Sequence, residues 1–176
     1  AHAGYLLIAL VSANSMGISG TLFYLLAYIF MNVGAFAIVI VLSHKNDEFI
    51  QINDYAGLGF KHPLLAIAMT LFMFSMAGIP PMAGFVGKFY IFSAAIKSGY
   101  VVLAIIGVIN SVISVYYYLR ITVIMYMKEP TREFTPLTLS PFIVAAIVIS
   151  VIGTLQLGIF PSKVIEMAQQ ATLILK

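Results

Sequence analysis

The sequence predicts an all-α protein, a polytopic bundle of helices that cross a membrane. Three observations predict it. Of the 176 residues, 62% are hydrophobic and 9% charged, and the mean hydropathy is +1.07; a soluble domain carries about 25% charged residues. The charges are bunched, and the runs between them are long enough to cross a bilayer. Those runs lack the alternation of a half-buried strand, and lipid admits only structures that satisfy their own backbone groups. The same composition excludes a soluble globule, a disordered segment and a nucleic-acid binder. Nine basic residues against six acidic ones give a net charge of +3, an excess that belongs to loop asymmetry rather than to an anionic partner. Cysteine is absent, so this chain offers no disulfide, thiolate metal site or cysteine nucleophile.

The charges delimit the elements. No charge falls between Ala3 and Ser43, between His62 and Gly87, between Ser98 and Leu119, or between Phe134 and Ser162. A bilayer core about 30 Å thick needs roughly 20 apolar helical residues. Ala1–Val11 reads as the end of a helix. Ser12–Gly20 reads as a turn, rich in Gly, Ser and Asn, and Thr21–Ser43 as a full span. His44–His62 is a polar loop whose DYAGLGFKHP stretch lies at the interface. Leu64–Ala77 is the third helix. Gly78–Pro81 (GIPP) is a sharp break, because prolines remove donors. Met82–Lys97 is short and Gly-interrupted, Tyr100–Met127 is long, and Pro141–Phe160 is the last span. That makes six membrane segments in one domain, 1–176, with 161–176 as an amphipathic tail presenting Lys163 and Glu166 on its polar side.

Lys88 is the most informative residue. It sits in AGFVGKFYIF, with apolar or small residues on both sides. A charge at a helix centre costs about 2.5–3.5 kcal/mol on insertion scales. Low dielectric disfavours an ammonium relative to the amine, so a lysine there is suited to gaining and losing a proton. The competing reading is a lysine that snorkels to the interface, as Lys97 does, or is structurally paired. Gly78, Pro80, Pro81, Gly84 and Gly87 precede Lys88 within ten residues. Such interruptions free backbone groups, which are tolerated at membrane depth when buried or lining a hydrated cavity. Close helix packing through small residues is the alternative.

His2, in AHAGY, is the other titratable candidate. Histidine shuttles protons near neutral pH, and a hydrogen-bonded core histidine is the rival reading. His44 and His62 stand at loop edges, and no metal-binding spacing is present. Tyr116, Tyr117 and Tyr118 precede Arg120 and suit an interfacial belt, or a water chain through a hydroxyl. Asn32, Ser75, Asn110, Ser111 and Ser114 suit helix–helix hydrogen bonds first and a wet path second. No Asp or Glu lies in any span, which excludes a carboxylate ion site within this chain alone.

YLLAYIFMNVGAFAIVIVLS (24–43), DYAGLGFKHPLLAIAMTLFMFSMAGIPPMAGFVGKFYIF (54–92), SVYYYLRITVIMY (114–126) and AHAGYLLIAL (1–10) resemble the antiporter-like subunits of respiratory complex I, subunit N above all. The GIPP…GF.GKFY stretch is the most specific piece. The resemblance implies two inverted helical repeats, each with a broken helix, of which this chain carries the second, as the C-terminal portion of a longer subunit. Met82–Lys97 would be the broken helix, Lys88 its proton-carrying lysine, and His2 a neighbour of the central hydrophilic axis. It implies a non-redox, proton-translocating subunit of NADH:quinone oxidoreductase without a cofactor of its own. NADH, FMN, Fe–S clusters and quinone would belong to partner subunits. Sister antiporter-like subunits and the lipid bilayer would be the neighbours, in a bacterial inner membrane or its mitochondrial or chloroplast counterpart. A cation/proton antiporter or membrane hydrogenase subunit of the same ancestry is the alternative, and a purely structural helix scaffold the other. With each helix counted as a separate crossing, Lys45, Lys61, Lys97, Lys163 and Lys176 fall on one side and Arg120, Lys128 and Arg132 on the other. That count puts the C-terminus in the cytoplasm, and the resemblance implies the opposite.

Overall fold

The computed structural model describes residues 1–43, 51–130, 137 and 139–174. Among these residues every regular element is helical: α1 (His2–Val11), α2 (Ser15–Leu42), a 3-10 turn (Ile52–Tyr55), α3 (Leu58–Lys61), α4 (Pro63–Ala77), α5 (Ala83–Lys97), α6 (Val101–Met127), α7 (Pro141–Ile159) and α8 (Ser162–Ile174). The six apolar segments expected from the sequence are all present. Three of them, α2, α6 and α7, are long and apolar enough to cross a membrane.

One boundary moves. The turn expected over Ser12–Gly20 ends at Asn14, and α2 starts at Ser15. The Asn14 side chain accepts a hydrogen bond from the Gly17 N–H at 2.7 Å, an N-cap that satisfies one of the orphan donors of the first turn. Ser and Gly therefore form the first turns of a helix instead of a loop. Their small side chains let neighbours approach: a Cβ on Gly20 would stand 3.3 Å from that of Tyr90.

Helix α2 is the axis of the bundle, packing against α1, α4, α5, α7 and α8. Phe23, Met31 and Ile38 along it are fully buried, as is Phe72 of α4. Gly34 lies under the Phe72 ring, Gly84 faces Met31, and Gly87 packs on Tyr24. As residue numbers rise along α4 and then α5, the partners on α2 fall. The two helices therefore run in the same direction, end to end, antiparallel to α2. Each has 15 residues, about 22 Å of helix and too short for a core of about 30 Å. Together they follow the 28-residue α2, about 42 Å long. The GIPP break thus falls inside one interrupted span.

This arrangement overturns the side-by-side charge count. Gly57 lies against Pro130 and Gly59 against Tyr126, so Lys61 and Lys128 share one end of the bundle. Lys97 lines a cavity with the end of α8 and the start of α2 at the other end. Lys97 and Lys61 are on opposite sides because α4 and α5 make one crossing, not two. His44, Lys45, Asp47, Glu48, Arg132 and Lys176 lie outside the described residues. The tail is amphipathic as expected: Ile165 and Ala168 of α8 are buried, while Lys163 and Glu166 are exposed.

Candidate functional site

The break builds a socket for one cation. Helix α4 closes with Gly78 in the left-handed region, φ +87°. The Ile79 N–H donates to the Phe74 carbonyl and the Gly78 N–H to the Ser75 carbonyl, each at 3.0 Å. This is a Schellman closure, which glycine adopts without a Cβ penalty. It leaves the carbonyls of Met76 and Ala77, at the partial-negative end of the helix, for another donor. Lys88 supplies it. Its Nζ donates to Met76 O at 2.9 Å, to Ala77 O at 3.1 Å and to Ser111 Oγ of α6 at 3.0 Å.

The socket fits the lysine closely. A Cβ on Gly78 would stand 3.2 Å from both Cδ and Nζ of Lys88. Across the break, Ser75 Oγ accepts from the Gly84 N–H at 3.1 Å, so α4 caps the first turn of α5. Pro80 and Pro81 form the connection, joined by a cis peptide bond, and α7 approaches it closely enough that Gly158 lies against the Pro81 carbonyl. Every glycine and proline singled out before Lys88 therefore contributes to the break or to close packing around it.

Lys88 is 4% exposed, and its head points into the bundle, so it does not snorkel. It stands nine residues before Lys97 on α5, about 14 Å from that helix end. No acidic residue pairs with it among the described residues. Its neighbours are neutral: the Tyr5 ring, with its centroid 4.9 Å from Nζ, a cation–π distance, and the Ser111 hydroxyl.

His2 lies beside this socket and does not touch Lys88. Tyr5 stands between them, its ring edge-on to the imidazole with centroids 5.9 Å apart. His2 Nδ1 is 2.6 Å from the Tyr24 hydroxyl, and Nε2 is 2.5 Å from the Tyr118 hydroxyl. A neutral imidazole has one N–H donor and one acceptor nitrogen. It therefore donates to one tyrosine and accepts from the other, and exchanging tautomers reverses both bonds. Tyr24 lies nine residues into α2, again about 14 Å from its end, the depth of Lys88.

Sequence reasoning missed Tyr5 and Tyr24, and gave the 116–118 triplet a water-chain role only as its second reading. Tyr116 is 73% exposed, as an interfacial residue is, but Tyr118 turns inward to His2. Neighbours in one triplet occupy different faces of a helix, and the triplet alone does not say which faces inward. Ser75 and Ser111 do form the helix–helix hydrogen bonds expected of them. Asn32 instead donates to the Tyr28 carbonyl of its own helix. Two open cavities adjoin the site. One of about 740 Å³ is lined by Ser43 and Tyr55 near the Lys61 end and by Met76 and Tyr118 at the site. A groove of about 510 Å³ between α1 and α6 includes Tyr5, Asn110 and Tyr117. No group of three or more metal-ligating side chains occurs among the described residues.

The chain resembles known proteins over its full extent. It is 53% identical over 171 residues, 97% of this chain, to NADH-quinone oxidoreductase subunit N of Trichlorobacter lovleyi, and covers 35% of that protein. It is 46% identical over 177 residues to NADH-quinone oxidoreductase subunit N 1 of Solibacter usitatus, covering 36% of it. The chain thus spans about a third of the length of these curated relatives. Among solved structures, it matches a chain of respiratory complex I from Thermus thermophilus with TM-score 0.82 and 33% identity, over 94% of this chain and 37% of that one. It shares its fold with a chain of the Mrp complex of Dietzia sp. DQ12-45-1b, with TM-score 0.83 and 22% identity, over 97% of this chain and 40% of that one. A family model described as NADH:quinone oxidoreductase/Mrp antiporter, transmembrane, matches residues 1–114, and the chain belongs to that family of antiporter-like membrane subunits.

Proposed function

We propose that this chain carries a proton-transfer centre of a non-redox membrane subunit of NADH:quinone oxidoreductase. Lys88 is the group that changes charge, and His2 passes protons beside it. The observation that supports this most is the socket. It holds an ammonium at membrane depth with two carbonyls and a hydroxyl, and with no carboxylate among the described residues. A carboxylate partner would lock the charge in place; dipoles hold it while leaving loss of the proton within reach. Because low dielectric strengthens coupling between charges, a change elsewhere on the hydrated axis of the complete subunit would shift the protonation of Lys88.

The cavity from Ser43 and Tyr55 to Met76 and Tyr118 is the route by which water would reach the site from the Lys61 end. Tyr24–His2–Tyr118 is a row of hydrogen-bonded groups able to relay a proton by exchange of the histidine tautomer. Electrons, NADH, FMN, Fe–S clusters and quinone would be handled by partner subunits. With Lys61, Arg120 and Lys128 toward one end and Lys97 at the other, the positive-inside rule favours the Lys61 end as cytoplasmic.

The test is NADH-driven proton pumping in vesicles by fully assembled complex, native against Lys88→Met. Loss of pumping supports the proposal, and unchanged pumping refutes it. Sodium-for-proton exchange without any NADH-dependent activity would favour an antiporter instead.

A further inference from the structure

A second polar cavity, of about 590 Å³, opens at the end of the bundle where α2 begins and α5 ends. Ser15 and Ser19 of α2, Tyr90 and Lys97 of α5, and Gln169 and Thr172 of α8 line it. It is separate from the Lys88 socket, about 14 Å further along α5. Two of its hydroxyls are committed: Ser19 donates to the Ser15 carbonyl at 2.9 Å and Thr172 to the Gln169 carbonyl at 2.6 Å. The Lys97 ammonium, the Tyr90 hydroxyl and the Gln169 amide make no such bonds among the described residues. No Asp or Glu lines the cavity, and Lys97 forms no ion pair among the described residues. The opening of α2 adds the partial positive charge of a helix N-terminus. The ligand this set fits is an anion with several acceptor oxygens, such as a phosphate.

The location selects the source of that phosphate. The cavity lies at the membrane edge, between three helix termini: the start of α2 and the ends of α5 and α8. Ser15, Ser19, Leu22 and Leu26 form one stripe at helical spacing along α2. Leu22 and Leu26, the members nearer the bilayer centre, are exposed. The stripe thus changes from polar to apolar in the order that a headgroup and its acyl chain require. We propose that this cavity binds the phosphate headgroup of an anionic phospholipid, with Lys97 as its counter-charge and Tyr90 and Gln169 as hydrogen-bond donors.

Photolabelling of the assembled complex tests this. The complex is placed in phosphatidylcholine vesicles carrying a photoactivatable phosphatidylglycerol, and labelled peptides are read by mass spectrometry. Labelling is expected on the peptides spanning 15–26 and 90–97. It should fall several-fold in Lys97→Gln, persist in Lys97→Arg, and be unaffected by Lys88→Met. If Lys97→Gln does not assemble, the Tyr90→Phe, Gln169→Ala double variant reads the same loss. Equal labelling by a phosphatidylcholine probe overturns the proposal, as does labelling that Lys97→Gln leaves unchanged or a site that takes no label. Protection by millimolar inorganic phosphate would assign the cavity to the free ion and overturn the lipid.

Discussion

Lys88 Nζ lies 2.9 Å from the carbonyl oxygen of Met76, joining the second turn of one half-helix to the last turn of the other. The contact exists because α4 ends in a Schellman closure that leaves that carbonyl without a helical donor. A lysine twelve residues later in sequence becomes the cap of the preceding helix. The break is therefore what accommodates the charge, and the charge is what closes the break.

This separates two roles that a neutral substitution alone would confuse. Arginine keeps the charge but does not release its proton in proteins. If Lys88 acts only as a structural cation, Lys88→Arg should pump better than Lys88→Met. If the residue must lose its proton, both variants should lose pumping together. The expected outcome is that both fall by roughly 10²-fold where this transfer limits turnover, the lower range for a positioned acid–base group. Assembled complex in vesicles, followed with a pH-sensitive dye, checks it.

Gly78 should tolerate no side chain. Its φ of +87° costs a residue with a Cβ about 1–2 kcal/mol, and that Cβ would press on Cδ and Nζ of Lys88. Gly78→Ala is expected to lower the thermal midpoint of the detergent-solubilised complex and to reduce pumping per assembled complex. Gly99, also at positive φ, has open space around it. Gly99→Ala should carry the backbone cost without the loss of pumping.

The tyrosines around His2 make a sharper test of the relay. Tyr118→Phe and Tyr24→Phe each remove one hydroxyl from the imidazole and leave the ring in place. Each should slow NADH-driven pumping a few-fold to about tenfold, the worth of one hydrogen bond of about 0.5–1.5 kcal/mol. Tyr116→Phe, two residues from Tyr118 and facing outward, should have no effect. Equal losses in all three variants would mean that the effect is not particular to the two hydroxyls on the imidazole, and would refute the relay.

Much of this was legible in the sequence, and the reasons differ by residue. GIPP announced a break, because proline and glycine act on their own backbone wherever they stand. Lys88 stood out because a charge in an apolar run is costly in any bilayer. What the Lys88 ammonium touches was not legible: Met76, Ala77 and Ser111 are brought to it by three-dimensional packing, and two of them contribute only backbone. The inward turn of Tyr118 was hidden for the same reason, since its two tyrosine neighbours are chemically identical to it. The start of α2 was misjudged because Ser, Asn and Gly signal turns in water, whereas here Asn14 caps a helix and the small residues pack. The joining of α4 and α5 into one crossing was invisible to charge counting, which treats every apolar run as a separate span.

That last point has a direct consequence for topology. If α4 and α5 were two separate crossings, positions 61 and 97 would be exposed to the same compartment, and 128 to the other. As one interrupted crossing, 61 and 128 share a compartment, and 97 faces the opposite one. The chain has no cysteine, so single cysteines introduced in it can be read with a membrane-impermeant thiol reagent, once any thiols elsewhere in the full subunit are removed. Lys61→Cys and Lys128→Cys should label from one face of sealed vesicles, and Lys97→Cys from the other. By the positive-inside rule the 61/128 face should be the cytoplasmic one, reached first in inside-out vesicles. Labelling of 61 and 97 from the same face would dismantle the interrupted span, and with it the socket in which the end of α4 meets Lys88.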